Sequence, residues 1–486
     1  MECRWKRNNI FNMKISKVGY LIFVISILTV NAQENTTIAS GSGMDFIGHL
    51  KPRTTHDIVS SDLWIGGEVL DRDYTDYHEY KPYLDSLGAK KIRLQSGWAK
   101  TEKQKGVYDF AWLDRIVNDA MERKVQPWIQ ISYGNELYPD AGGISLGEGL
   151  PQSEEALEAW LKYTKALVVH FRDRVNEWEI WNEADHRYNN AGPEPYANLY
   201  YRTGKAIREV QPNAKLIGLS IAGVGKTDYV DFFLKYLQER NALDLLDIVT
   251  FHGYPRNPDQ GFDAVAGLEA LIYTYRPGVK LWQGETGCPS TFGSSGALSG
   301  YPWSEIIQAK WNLRRALAHV GRGYPFSLFT ISEYTYDRKK FKGLNTKGIL
   351  KVNDDLSVAY AKPAYYAYQN LTALLDHQFE RMPLVNYSTD SDSSLSVFAF
   401  LHKVSKSPMV FFWMNGNIPS NEHEFTNTVF SFENIVFSDP LIIDLLSGEV
   451  YETAGFGVGD GSSIFRGIPI ADYPFAIVER KEIRLE

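Results

Sequence analysis

The 486-residue chain predicts an α/β protein, a (β/α)8 TIM barrel followed by an antiparallel β-sandwich. Three observations carry that expectation. Short apolar runs alternate with helical periodicities eight times between about residue 60 and residue 375. Runs such as 127–132 are apolar nearly throughout, as parallel strands covered on both faces are. Beyond residue 376 the helical periods stop, and short β-rich runs take over.

In order, the expected barrel strands are 63–67, 91–94, 127–132, 175–181, 215–220, 246–251, 280–283 and 325–331. Helices are expected at 77–87, 111–123, from Ser153 to about 171, then at 194–210, 227–240, 262–275, 304–320 and 362–375. Each has a local cause. Leu113, Ile116, Val117 and Ala120 share one helical face. Ser153 caps a helix whose first turn holds Glu154 and Glu155. Gln211-Pro212-Asn213 stops another. A doubly wound open sheet is the alternative, but no glycine-rich phosphate turn follows the first strand. In the tail, runs at 395–400, 409–413, 426–432, 441–446, 464–468 and 475–478 are spaced by turn signals such as Asn415-Gly416 and Ser447-Gly448.

The N-terminus carries Arg4, Lys6, Arg7, Lys14 and Lys17, then an apolar run ending near Asn31-Ala32. That is the layout of a secretory signal peptide. The expected organisation is therefore signal peptide 1–32, flexible lead-in 33–56, barrel 57–375 and sandwich 376–486, with a secreted or periplasmic location. The apolar run is short for a membrane span, so no stable membrane insertion is expected once the signal is removed. Formal net charge is −8 with no long basic run after the signal, which argues against a nucleic-acid partner. Of two cysteines, Cys3 lies in the signal, and Cys288 is left as a lone thiol. Aromatic content is 14%, and ring faces with polar handles suit sugars.

Barrel proteins place function at the C-terminal ends of the strands. The fourth expected strand ends in Trp181-Asn182-Glu183, and the seventh in Gly284-Glu285-Thr286. Two carboxylates at two strand ends are what glycoside hydrolysis requires, one protonating the leaving oxygen, the other ionised as nucleophile or base. Arg93 and Tyr254 would keep Glu285 ionised, and Asn182 could donate an amide hydrogen bond to a sugar hydroxyl; these three, with Trp98, His252, Trp303, Glu333 and Tyr334, are the expected substrate-binding residues. His252 reads as a site hydrogen-bonder or as barrel packing, and both stay open. Trp98, Tyr133, Tyr138, Tyr188, Trp303 and Tyr334 lie in loops of the same face, where each is more often packing than a sugar platform. Glu333 is a substrate contact or a partner for a nearby base. Glu179 shares strand parity with Glu183 and points inward, toward an expected Arg or Lys; Glu177 belongs to the bottom rim. No His, Cys and Asp cluster has zinc spacing, so neither metal nor cofactor is expected.

Trp181-Asn182-Glu183, Gly284-Glu285-Thr286, Phe251-His252 with Tyr254, Arg93, Gln211-Pro212-Asn213 and Lys362-Pro363-Ala364 together resemble clan A of the retaining glycoside hydrolases, closest to family 39 and its β-xylosidase and iduronidase-like relatives. The resemblance implies that Glu183 is the acid/base and Glu285 the nucleophile. The chain differs from the common pattern at Leu94-Gln95-Ser96, at Ala184 and around Phe329 to Tyr334. The expectation is a retaining β-glycosidase acting on an oligosaccharide or polysaccharide. An endo-acting β-glucanase or galactanase is the alternative within the class, and a non-catalytic glycan-binding barrel the alternative outside it.

Overall fold

The structure, a computed structural model, describes residues 44–186, 192–338 and 341–486. The expected signal segment, Cys3 and Tyr188 lie outside these residues. Among the described residues no helix is long and apolar enough to cross a membrane.

Eight parallel strands close into a barrel: Leu63–Gly66, Lys91–Gln95, Gln126–Ile131, Glu177–Ile180, Lys215–Ile221, Ile248–His252, Lys280–Thr286 and Phe326–Leu328. Closure is by pairing of Leu63–Ile65 with Phe326–Leu328. The expected eighth strand is shorter than its apolar run, because Phe329 and Ile331 already belong to the loop face.

The barrel interior is layered. Trp64, Trp128 and Trp282 form the floor, with ring centroids 4.7–5.9 Å apart. Lys91 lies over Trp64 and Trp282 and reaches Glu177 at 2.6 Å, so Glu177 is a rim residue. A cleft of about 850 Å³ opens beneath, at the N-terminal face, away from the paired glutamates. Above the floor sits a polar layer of Arg93, Gln130, Glu179, Thr250 and Gln283, all fully buried.

The tail forms two antiparallel sheets. A four-stranded sheet is built on Phe425–Glu433 and Ser462–Ala471, and a seven-stranded one on Leu395–His402, Pro408–Met414 and Phe475–Glu479. They meet through rings such as Phe412 and Phe430, 4.9 Å apart. The expected flexible lead-in needs a correction. Met44–His49 is a strand that pairs antiparallel with Glu449–Thr453 at the edge of the seven-stranded sheet. Its partner lies some four hundred residues away, so no local turn signal announces it.

Barrel and sandwich share the helix Glu305–Val320, on which every residue from Ile307 to Val320 is buried. Its cations find partners beyond the helix: Lys310 meets Asp472 at 2.7 Å, and Arg314 pairs with Asp259, which also accepts the Trp413 indole N–H at 3.0 Å. Gly321 closes this helix against the sandwich. A Cβ there would lie 2.4 Å from the Phe398 ring.

Candidate active site

Strands four and five end irregularly, and that irregularity aims the site. Trp181, Glu183, Leu219 and Ser220 have positive φ (69°, 45°, 71° and 43°), and the register slips between Gly218 and Ile221. Non-glycine residues hold such angles only where surrounding contacts over-determine them. Here the Glu183 N–H donates to the Ser220 carbonyl at 3.0 Å. Asp185 accepts the N–H groups of Ala222 and Gly223 at 2.9 and 3.1 Å, tying the loop after strand four to the loop after strand five.

Glu183, His252 and Glu285 converge, with one ligand-type atom from each within 4.8 Å of the others. Glu285 accepts from Arg93 Nη1 at 2.9 Å and from the Tyr254 hydroxyl at 2.7 Å. Burial alone would raise its pKa; His252, Arg93 and Tyr254 outweigh burial and hold it below the ordinary value. Its side chain keeps 13% exposure and that of Glu183 10%, so both open to the barrel mouth.

His252 Nδ1 lies 2.8 Å from Glu183 Oε1 and 3.8 Å from Glu285 Oε2. Its Nε2 lies 3.1 Å from Ser220 Oγ, whose own hydrogen goes to Asn182 Oδ1 at 3.2 Å. The network therefore gives Nε2 the hydrogen and turns Nδ1 toward Glu183, leaving one proton to be shared between imidazole and carboxyl. Burial would lower the histidine's pKa, but the two glutamates override it and raise it above its usual value.

Arg93 is the hub and is fully buried. Its Nε donates to Glu179 at 2.8 Å, Nη1 to Glu68 and Glu285 at 3.1 and 2.9 Å, and Nη2 to Asn182 and Ser220 at 2.9 and 3.0 Å. Every nitrogen is thus engaged by protein, so Arg93, expected as a substrate contact, is here spent on partners within the chain. His252 is likewise fully buried, with Glu183 and Ser220 on its two ring nitrogens. Asn182 is 4% exposed; its oxygen accepts from Arg93, and its Nδ2 donates to the Tyr133 hydroxyl at 2.9 Å. Tyr254 borders the opening at intermediate exposure.

Three expected substrate contacts lie inside the protein. Trp98 is stacked between Tyr138 and Tyr163, with its indole N–H on Glu102 at 2.5 Å. Trp303 packs with Cys288, Ile307 and Trp311 and donates to the Leu298 carbonyl. Glu333 is fully buried between Lys362 and Lys351, the latter at 2.9 Å. Desolvating these groups is compensated by partners within the chain. Tyr334 is 2% exposed and bonds the Tyr336 hydroxyl at 2.8 Å, beside the site.

Several residues here escaped the sequence reading. Glu68 follows the first strand, and the strand-end rule applied there would have found it. Lys347 comes from the long segment after strand eight, where no periodicity points. It is buried, its ammonium lies 5.6 Å from the Tyr254 ring centroid, and burial pushes its pKa down to about 8.

The fold is a closed parallel eight-stranded barrel with glutamates at the ends of strands four and seven. Residues 84–271 match the profile of Glycosyl hydrolases family 39, so the chain is related to that family. The match includes Glu183 and stops short of Glu285. Over 162 residues the chain is 26% identical to a β-xylosidase of Geobacillus stearothermophilus, covering 31% of this chain and 32% of that protein. Over 169 residues it is 26% identical to β-glucosidase A of Thermotoga maritima, covering 33% and 35% respectively. The chain thus spans about a third of the length of the curated relatives it matches. Among solved structures, a family 39 glycoside hydrolase from the gut symbiont Bacteroides cellulosilyticus WH2 superposes with a TM-score of 0.64 at 19% identity, over 87% of this chain and 81% of that one. A monomeric β-xylosidase from Caulobacter crescentus CB15 gives 0.58 at 17% identity, over 90% and 99%. These likenesses speak to the fold.

Proposed function

We propose that the chain is a retaining β-glycosidase that works by double displacement. The approach of a Glu183 oxygen and a Glu285 oxygen to within 4.8 Å carries this reading. Inverting enzymes hold their carboxyls roughly 6.5–9.5 Å apart to admit a water, whereas retaining enzymes hold them about 5–5.5 Å apart. Glu285, kept ionised, attacks the anomeric carbon. The bond to the leaving oxygen breaks as Glu183 delivers the proton it shares with His252. Water then enters from the vacated side, Glu183 takes its proton, and the glycosyl ester on Glu285 is released with net retention.

Aryl β-xylosides and β-glucosides are the first substrates to try, following the relatives' names. Proton NMR of the first product formed should show the β-anomer, and a 2-fluoro glycoside should label Glu285 in a peptide map. An α-anomer first product, or label elsewhere, refutes the assignment. Turnover unaffected by Glu285→Gln would do the same.

Glu183, His252 and Glu285 also form a set that could hold a metal ion. The donor set argues against it, because the Arg93 guanidinium already sits on Glu285 and would repel a cation there. Activity should survive exhaustive chelation; loss with chelator and recovery with a divalent ion would favour the metal reading instead. A secreted or periplasmic location completes the proposal, and an exported mature protein beginning near Gln33 would support it.

A further inference from the structure

Glu68 is a buried ionisable group at the site for which the double displacement has no use. It is 3% exposed, and its side chain lies over Gly66, where a Cβ would come within 2.2 Å of Oε2. The first strand must therefore end in glycine for Glu68 to reach the site.

Glu68 Oε1 accepts from Arg93 Nη1, the same nitrogen that donates to Glu285. Three carboxylates crowd one guanidinium, and they are not equally served. Glu179 also receives the Gln130 amide at 3.1 Å and the Thr250 hydroxyl. Glu285 also receives Tyr254. Besides Arg93, the Glu68 carboxyl meets its own backbone N–H and, at 3.4 Å from Oε2, the Thr330 hydroxyl. That hydroxyl owns a single hydrogen, and the Gly66 carbonyl takes it at 2.8 Å. Contact between the two oxygens is attractive when Glu68 supplies the hydrogen.

The titratable groups facing Glu68 are Arg93 from the second strand, Glu285 from the seventh and Tyr80 from the helix after the first. One guanidinium serves Glu68 and Glu285 through the same nitrogen and Glu179 through another, in a setting with little water to screen them. Burial, opposed by Arg93 and reinforced by Glu285, pushes the Glu68 pKa up to about 7.

We propose that Glu68 is a positioning residue that holds a proton in the working protein. It accepts one hydrogen bond from Arg93 Nη1 without adding a charge, and so leaves the guanidinium's charge to Glu179 and Glu285. This rests on the reading of Glu285 as nucleophile.

Two measurements on the full chain test it. The first is the melting temperature of the wild type and of Glu68→Gln between pH 5 and pH 8.5. A carboxyl whose folded pKa is raised makes the protein lose stability as pH climbs from the unfolded toward the folded value. Glutamine is free of that loss, so the variant should gain a few degrees on the wild type across this range. A constant difference, or one that turns against the variant as pH rises, would mean an ionised Glu68 paired with Arg93 and would overturn the proposal.

The second is kcat/KM on an aryl β-glycoside. Glu68→Leu should lose roughly tenfold, about the effect of one misplaced hydrogen bond on the nucleophile. Glu68→Gln should restore most of that loss. A leucine variant as active as the wild type would overturn the positioning role. An inactive wild type would sink the glycosidase reading instead, while the melting curves would still report on the proton.

Discussion

His252 Nδ1 lies 2.8 Å from Glu183 Oε1, and its other nitrogen is held by Ser220, itself bonded to Asn182. The acid/base candidate is thus tied by one proton to an imidazole that cannot rotate away. The consequences can be measured.

In the proposed mechanism Glu183→Gln removes the proton that the leaving oxygen needs. The loss in kcat/KM should be on the order of 10²–10⁴ for glycosides with poor leaving groups and much smaller for dinitrophenyl glycosides. Steady-state kinetics over a leaving-group series checks this. Equal losses across the series would remove Glu183 from the acid role.

Replacing His252 by asparagine tests the pair through pH. Its folded pKa is raised above the unfolded value. The stability it contributes is therefore fully present below about pH 6.5 and is lost as pH rises through the folded pKa. His252→Asn should lower the melting temperature more at pH 6 than at pH 9. A penalty that grows with pH would contradict the raised value.

Arg93→Lys keeps the charge and loses the fork. A lysine cannot bond Glu179, Glu285, Asn182 and Ser220 together, and it would leave carboxylates buried with too few donors. We expect destabilisation of about 3–5 kcal/mol by urea titration, the usual cost of breaking a buried charge pair, together with a large fall in kcat/KM. A lysine variant with wild-type stability would show that the hub is not the anchor of the polar layer.

Gly321→Ala tests the seam between barrel and sandwich. The added methyl meets the Phe398 ring and, at 2.8 Å, the Leu317 carbonyl. Overpacking of this kind costs about 1–3 kcal/mol. Adding Phe398→Ala should make the Gly321→Ala step cheaper in a double-mutant cycle. Full additivity would place the clash elsewhere.

The βα alternation, the ends of strands four and seven, and the inward face of Glu179 were all legible in the chain. They follow from local rules, since strand parity and helical period decide which face a residue takes. Glu179 does meet an arginine, at 2.8 Å.

Whether a residue on the loop face meets solvent or protein is another matter, because burial is set by segments far away in the chain. Trp98 sits under the loop that brings in Tyr138, and Glu333 is sealed by Lys362 from the last barrel helix. Arg93 becomes a positioning group only because five acceptors from other strands and loops surround it. Met44–His49 is a strand only because Glu449–Thr453 offers it an edge. Local pattern along the chain is enough for the barrel and for the places of its two glutamates. Which neighbours those glutamates share follows from the assembled fold, because hydrogen-bond partners and desolvation come from residues that no local pattern connects.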